Sequence, residues 1–148
     1  MGILNSVFKL QTKSNDMDTL NLKDLESILR IIVDLYQEIW NDSTKWKENV
    51  VKIEKYLNGV LAVNPNDTRV LTNLGAIYSL RGEHKHALKV LLKAEKLNAA
   101  DANLYNNIAI AKINVGTEMK DAKKYFEMAK KLKPNELTIE SYFDPHGY

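Results

Sequence analysis

Histidine and carboxylate side chains are the residues of this chain that could bind a metal ion or transfer a proton. His84 and His86 are two residues apart, so on a helix they point about 200° apart and cannot share one ion, which requires i, i+4 spacing. Asp16 and Asp18 lie in a polar stretch with no apolar pocket to raise a carboxyl pKa. No serine occupies a Gly-x-Ser-x-Gly turn, and no glycine-rich phosphate loop is present. We therefore expect a protein that is not an enzyme and binds no metal or cofactor.

Composition narrows the classes of partner. The net charge is +2, with 45% hydrophobic and 27% charged residues, so no strong field attracts nucleic acid. No apolar run approaches the ~20 residues that span a bilayer, so we expect no stable membrane insertion. The start Met1–Ser6 fits a short acylation pattern, but one acyl chain gives only marginal binding. Without cysteine there is no disulfide or thiolate chemistry, and the expected location is the cytoplasm.

Three stretches of similar sequence recur at a fixed period and indicate how the chain is built. They begin at Val63, Leu97 and Leu132, so the steps are 34 and then 35 residues. A period in this range is typical of stacked helical repeats, in which each unit is a pair of helices. The extra residue of the second step follows Gly116, in the predicted turn between two helices, where an insertion costs little.

Inside each unit, apolar residues follow the helical period. Leu71, Leu74 and Tyr78 are spaced i, i+3, i+7 and share one helix face. Gly75 and Ala109 are small residues 34 apart that allow paired helices to approach closely. The residues expected to end helices are two glycines and two prolines: Gly82, Gly116, Pro65 and Pro134. The helices predicted are 22–40, 44–63, 68–81, 84–97, 102–115 and 118–132, with a short seventh helix at 136–143 covering the sixth.

This pattern resembles the tetratricopeptide repeat, which has a bulky residue, Leu-Gly and Tyr on its first helix and Ala, Leu or an aromatic, Ala and Pro on its second. The unit from Thr68 to Asp101 matches well. The unit 102–136 matches on its second helix but has Lys112 where the family has Tyr, and the segment before Pro65 matches weakly. The matching residues are Leu71, Leu74, Gly75, Tyr78, Ala87, Leu91, Ala94, Ala122, Phe126, Ala129 and Pro134.

The resemblance implies an all-α fold. We expect a right-handed stack of about three antiparallel helix pairs, an α-solenoid, with a short C-terminal helix or lid. The expected parts are a partly mobile N-terminal arm at 1–20, a repeat domain at 21–136 made of a degenerate pair (21–66) and two repeats (67–101 and 102–136), and a capping segment with a tail at 137–148.

The resemblance also implies a binding face, because this family usually binds peptides in a concave groove lined by the first helix of each pair. Asparagine carries both a donor and an acceptor, so its amide can pair with the backbone of an extended peptide. Four asparagines gather on one predicted helix of the last repeat. The predicted partner-binding residues are Arg69, Asn73, Asn103, Asn106, Asn107 and Asn114.

The predicted function is therefore a non-enzymatic protein–protein interaction module that holds a protein or peptide partner in its groove. Some members of the family clamp a terminal carboxylate with basic residues, but Asn103 and Asn107 occupy those positions here, so that ligand is not expected. Two alternatives remain open. One is a stand-alone immunity or antitoxin-type inhibitor of a cognate enzyme, which the single-domain length suggests. The other is a self-associating scaffold, in which Leu137–Phe143 dock into the groove of another copy.

Overall fold

The computed structural model describes residues 22–97 and 99–141, and all regular elements within them are helices, which confirms the predicted all-α class. The elements are α1 (Leu22–Asn41), a 3-10 turn (Ser43–Lys45), α2 (Trp46–Val63), α3 (Thr68–Leu80), α4 (His84–Lys96), α5 (Ala102–Asn114) and α6 (Met119–Ala129). These bounds lie close to those expected from the apolar period. The N-terminal arm expected at 1–20 and the tail after 141 lie outside the described residues.

Helices α1 and α2 belong to the first of two compact units, which extends to Pro65. The two helices pack against each other through the apolar stripes that the sequence predicts. Ile32 on α1 and Leu57 on α2 are completely buried. Burial of one such aliphatic side chain contributes about 1.5–3 kcal/mol, so the buried stripes stabilise the pair.

A buried asparagine connects α2 to α1. Asn49 is 2% exposed, and its Nδ2 donates to the backbone oxygen of Leu35 at 3.0 Å and to Oε2 of Glu38 at 3.1 Å. Lys45 pairs with the same carboxylate at 3.5 Å. These partners satisfy an amide group that would otherwise be costly to bury.

The second compact unit begins at Asn66 and contains α3 to α6. Each helix packs on the next, and α3 also contacts α5. Gly75 lies where α3 meets α4, and a Cβ atom at this position would collide with the side chain of Leu91, which is itself fully buried. The small residue is therefore required by the close approach of the two helices. Ala109, 34 residues later on α5, is also fully buried.

Glycines follow the first helix of each pair in the second unit, as predicted. Gly82 and Gly116 have φ angles of 77° and 81°, in the left-handed region that residues with a Cβ atom rarely adopt. The prolines act differently from each other. Helix α2 stops just before Pro65, but α6 already ends at Ala129, well before Pro134. The N–H of residue 132 instead bonds to the oxygen of Ala129 at 3.1 Å in a tightened final turn.

The departure from the repeat pattern at Lys112 is accommodated by a tyrosine of α6. The Nζ of Lys112 lies 5.5 Å from the ring centroid of Tyr125, within the range of a cation–π contact. The hydroxyl of Tyr125 donates to Oε2 of Glu95 on α4 at 3.2 Å. Burial, together with the nearby Glu95 carboxylate, raises the pKa of Tyr125 to about 12. Tyr125 thus joins three helices, α4, α5 and α6.

The C-terminal segment, residues 135–141, is not the short helix expected at 136–143. Residues 136 and 137 form a turn, and residues 138–141 have no helical structure. The Oδ1 of Asn135 accepts the N–H of Leu137 at 2.8 Å, and the N–H of Thr138 donates to the Asn135 oxygen at 3.2 Å. An asparagine that bonds to the backbone two residues ahead favours a turn over a helix. Leu137 and Ile139 are buried, but the hydrogen bonds of this segment go to side chains of α3 and α5, not to the sixth helix that it was expected to cover.

Candidate functional site

The C-terminal segment lies along α3 and α5, where asparagine side chains bind its backbone. We call the surface formed by these side chains the asparagine face, and its members are Asn73, Asn103, Asn106 and Asn107. The residues of the segment that are buried against other parts of the chain are Leu137, Thr138, Ile139 and Ser141, while Glu140 is exposed. The site is therefore a peptide segment held by helix side chains.

Asn73, on α3, binds the segment through both atoms of its amide group. Its Nδ2 donates to the backbone oxygen of Leu137 at 3.0 Å, and its Oδ1 accepts the N–H of Ile139 at 2.9 Å. The side chain is 0% exposed. Because water cannot replace either bond, losing one would leave a buried polar group unpaired.

Asn107, on α5, repeats this arrangement two residues further along the segment. Its Nδ2 donates to the oxygen of Ile139 at 2.9 Å, and its Oδ1 accepts the N–H of Ser141 at 2.6 Å. This side chain is also 0% exposed. The four bound backbone groups all belong to residues 137, 139 and 141, and alternate residues face the same way only in an extended chain. The segment is therefore bound as an extended peptide.

The other two members of the asparagine face bind the even-numbered residues of the segment, Thr138 and Glu140. Asn103 is buried, and its Nδ2 donates to the hydroxyl of Thr138 at 3.0 Å and to the oxygen of the same residue at 3.3 Å. Asn106 donates to Oε1 of Glu140 at 3.0 Å in an exposed position. Water competes for the exposed bond between Asn106 and Glu140, so this bond contributes less to stability than the buried bonds between Asn103 and Thr138.

Asp101 holds the start of the segment with its carboxylate. Its Oδ1 caps α5 by accepting the N–H of Asn103 at 3.3 Å, and it also accepts the N–H of Asn135 at 2.8 Å. Its Oδ2 accepts the hydroxyl of Thr138 at 2.7 Å. Since Asp101 is 8% exposed, these are bonds between a largely buried carboxylate and neutral donors, the stronger class of hydrogen bond.

The equivalent residue of the preceding repeat shows why this carboxylate is available. Asp67 caps α3 by accepting the N–H groups of Arg69 and Val70 at 3.0 and 3.2 Å, and it forms an ion pair with the Arg69 guanidinium at 2.9 Å. Asn103 occupies the position of Arg69 one repeat later, and its amide points to Thr138. The change from arginine to asparagine leaves the Asp101 carboxylate to bind the segment.

Two of the six predicted partner-binding residues, Arg69 and Asn114, have no hydrogen bond to residues 135–141 among the described contacts. Arg69 is directed to Asp67 at the start of α3, where its Nε and guanidinium nitrogen lie 3.3 and 2.9 Å from the carboxylate. Asn114 is exposed at the end of α5, and its side chain makes no hydrogen bond to any residue within the described ranges. The structure brings together the other four around residues 137–141.

Sequence reasoning missed Asp101, and it placed the C-terminal segment on the sixth helix or in the groove of another copy, whereas the segment binds the asparagine face of its own chain. An aspartate just before a helix is fully explained as an N-cap, so its second role has no separate signal. Comparison of the repeats contains a signal. Asp67 is followed two positions later by Arg69, whose charge can pair with it, whereas the equivalent Asp101 is followed by the neutral Asn103. A carboxylate without a nearby basic residue at this position indicates a further partner.

Within residues 22–97 and 99–141, which include His84 and His86, no group of three histidine, aspartate or glutamate side chains could hold an ion, and the third histidine, His146, lies outside the described residues. Burial lowers the pKa of His84, whose Nδ1 has no hydrogen-bond partner in the described part of the chain. His86 is exposed and pairs with Glu83 at 3.3 Å. Neither histidine contacts the asparagine face through a hydrogen bond between described residues.

Comparison of the chain with protein-family models, with curated proteins and with solved structures found no match. Among the helices of the described ranges, none has both the length and the apolar character that crossing a bilayer requires.

Proposed function

We propose that this chain is a non-enzymatic protein-interaction module of the tetratricopeptide-repeat type, and that its asparagine face binds an extended segment of a partner protein. The observation that supports this most is the pair of two-point contacts from Asn73 and Asn107 to the backbone of residues 137–141. Contacts to backbone groups are available from any extended peptide, and side-chain pockets then supply selectivity.

In this proposal the C-terminal segment occupies the position that the partner takes. A tethered segment acts at an effective concentration in the millimolar range for short connections, and only five residues, 130–134, join it to α6. A partner must displace the segment, so partner binding and segment release are one coupled equilibrium. The apparent affinity for the partner is therefore the intrinsic affinity multiplied by the fraction of molecules in which the segment is undocked.

The test uses a full-length variant in which the segment cannot dock. Ile139→Pro together with Ser141→Pro removes the two N–H groups that Asn73 and Asn107 accept. A labelled peptide with the sequence of residues 135–141 is then titrated against this variant and followed by fluorescence anisotropy. We expect saturable binding, at least about tenfold tighter than to the unaltered chain, because the competing segment is gone.

The matched control carries Asn73→Ala in the same double-proline background and should bind the peptide more weakly. A second measurement covers the case in which the proline variant does not fold: unlabelled peptide is added to isotope-labelled, unaltered chain. Amide exchange at Ile139 and Ser141 should accelerate with peptide concentration. No binding to a folded proline variant, or no peptide-dependent change in that exchange, excludes the proposed function.

Self-association is a second candidate, and the docked segment supports it because every copy carries a ligand for the same face. Exchange of residues 135–141 between two copies would preserve all contacts described above and give a swapped dimer. Light scattering at two concentrations distinguishes the candidates. A monomer at both favours a separate partner, whereas a mass that rises with concentration and falls in the double-proline variant favours exchange between copies.

A further inference from the structure

We infer that the asparagine face selects partner segments that carry a serine or threonine between two aliphatic residues, and that Asp101 and Asn103 are the residues that recognise the hydroxyl. The inference depends on the proposed function, because it takes Thr138 of the docked segment as the counterpart of the partner's residue. It adds the chemistry of the partner, which backbone contacts alone leave open.

The hydroxyl of Thr138 lies between a carboxylate and an amide. Its Oγ1 is 2.7 Å from Oδ2 of Asp101 and 3.0 Å from Nδ2 of Asn103. A third neighbour, the backbone oxygen of Asn135, lies at 3.0 Å within the same segment. The single hydroxyl proton goes to the carboxylate, which is the nearest acceptor and is charged, and an oxygen lone pair accepts the Asn103 proton.

A hydroxyl satisfies both neighbours with a single atom. Serine and threonine carry one donor and two acceptor lone pairs on the same oxygen. Valine has the shape of threonine but offers neither, so it would leave the Asp101 carboxylate and the Asn103 amide without these partners. Both side chains are 8% exposed, and a site built around a hydroxyl rejects the analogue that lacks it because its own buried groups are left unpaired.

The neighbouring positions of the segment make different demands. Leu137 and Ile139 are 8% and 3% exposed, so aliphatic side chains are favoured at both. Glu140 is exposed and weakly constrained. The hydroxyl of Ser141 is buried but has no hydrogen-bond partner among the described residues. Position 141 therefore requires a small side chain, not a hydroxyl, which provides an internal control.

A phosphorylated residue at the Thr138 position is excluded by the same geometry. A phosphate carries about −1.5 to −2 charges at neutral pH, and the Asp101 carboxylate lies 2.7 Å from the oxygen to which it would be attached. Phosphorylation of the partner at this residue would prevent binding, and phosphorylation of Thr138 itself would release the segment.

The test compares peptides of residues 135–141 on the full-length double-proline variant. The unaltered peptide is measured beside versions with Thr138→Ser, Thr138→Val, Ser141→Ala and phosphothreonine at 138. We expect the serine and Ser141→Ala peptides to bind within about threefold of the unaltered one, the valine peptide at least about tenfold more weakly, and the phosphorylated peptide most weakly. In a host that also carries Asn103→Ala, the penalty for valine should shrink.

The outcomes separate the inference from the function on which it rests. Equal affinity of the valine and threonine peptides overturns hydroxyl selection but leaves peptide binding intact. Equal losses from Thr138→Val and Ser141→Ala overturn it too, since the hydroxyl at position 138 would then matter no more than the unpartnered hydroxyl at position 141. Absence of binding by every peptide, including the unaltered one, removes both. If the proline host does not fold, displacement of the segment from the unaltered chain by each peptide gives the same ranking.

Discussion

Asn73 and Asn107 lie 34 residues apart in the sequence, and their amide groups bind the two backbone groups of a single residue, Ile139. The N–H of Ile139 donates to Asn73 at 2.9 Å, and its oxygen accepts from Asn107 at 2.9 Å. Each asparagine also binds a second residue two positions from Ile139: Asn73 binds Leu137, and Asn107 binds Ser141. One repeat of the protein therefore corresponds to two residues of the bound segment.

Replacing Asn73 or Asn107 by alanine should destabilise the protein and release the segment. Each change leaves one buried backbone oxygen and one buried N–H without a partner, so we expect a loss of about 1–3 kcal/mol in the free energy of unfolding. Amide exchange at Ile139 should accelerate in Asn73→Ala, and exchange at Ser141 in Asn107→Ala. Denaturant titration and exchange measured by NMR check both effects.

Asn114→Ala is the matched control, because this residue is exposed on the same helix as Asn107 and its side chain makes no hydrogen bond within the described ranges. Its effect should stay within about 0.5 kcal/mol. If Asn73→Ala and Asn107→Ala are as mild as Asn114→Ala, the contacts between asparagine and segment do not stabilise the chain.

Asp101→Ala should cost more than Asp67→Ala, although both residues cap a helix. Loss of a cap costs about 0.5–2 kcal/mol in either case. Asp101 additionally accepts the backbone N–H of Asn135 in a part-buried bond and the hydroxyl of the buried Thr138, and leaving those groups unpaired adds about 1–3 kcal/mol. Only Asp101→Ala should increase exchange in residues 135–141. Equal losses of stability in the two variants would mean that Asp101 acts as a cap alone.

Gly75→Ala should destabilise the protein, whereas Gly59→Ala should not. A Cβ atom at position 75 would collide with the buried side chain of Leu91, but one at position 59 meets nothing within 4 Å. We expect Gly75→Ala to cost about 1–3 kcal/mol through overpacking, and Gly59→Ala to gain about 0.5–1 kcal/mol from helix propensity. Thermal unfolding of both variants measures the contrast. A stabilised Gly75→Ala variant would contradict the close approach of α3 and α4.

Stability should fall as the pH is lowered through the titration range of His84. Burial lowers the pKa of His84 from the ordinary value of 6.5, so between the folded and unfolded pKa values the unfolded chain binds more protons. The contribution is fully present above pH 6.5 and is lost progressively below it. Unfolding free energies measured from pH 7.5 to 5.5 should show this slope, and His84→Gln should flatten it. His86→Gln, at an exposed position, is the control; if it flattens the slope equally, His84 is not the cause.

The helices could be predicted from the sequence because their determinants are local. The spacing of Leu71, Leu74 and Tyr78 reports one helix face, and the left-handed glycines Gly82 and Gly116 stop helices without help from distant residues. The same reasoning overextended α6, since the tightened turn after Ala129 carries no proline or glycine. Helix ends without such residues depend on packing, which local patterns do not contain.

The asparagine face could be predicted only in part. Four of the six chosen residues lie together, because a repeat places equivalent positions on one surface. The sequence predicts a short helix at residues 136–143, in which Leu137 and Ile139 cover the sixth helix. Instead, Asn73 binds the backbone of Leu137, which is 64 residues away in the sequence, and Asn107 binds the backbone of Ile139, which is 32 residues away. Contacts across such separations decide the conformation of a short segment, and no local pattern records them.

The sharing of Ile139 between two asparagines fixes the register of the C-terminal segment on this face. A slip by one residue would turn the odd-numbered amide groups away from both helices and present those of Thr138 and Glu140, with every side chain moved to the opposite side. The segment could therefore change register only in steps of two residues. Another repeat with asparagine at the same position would be expected to bind two further residues of an extended segment.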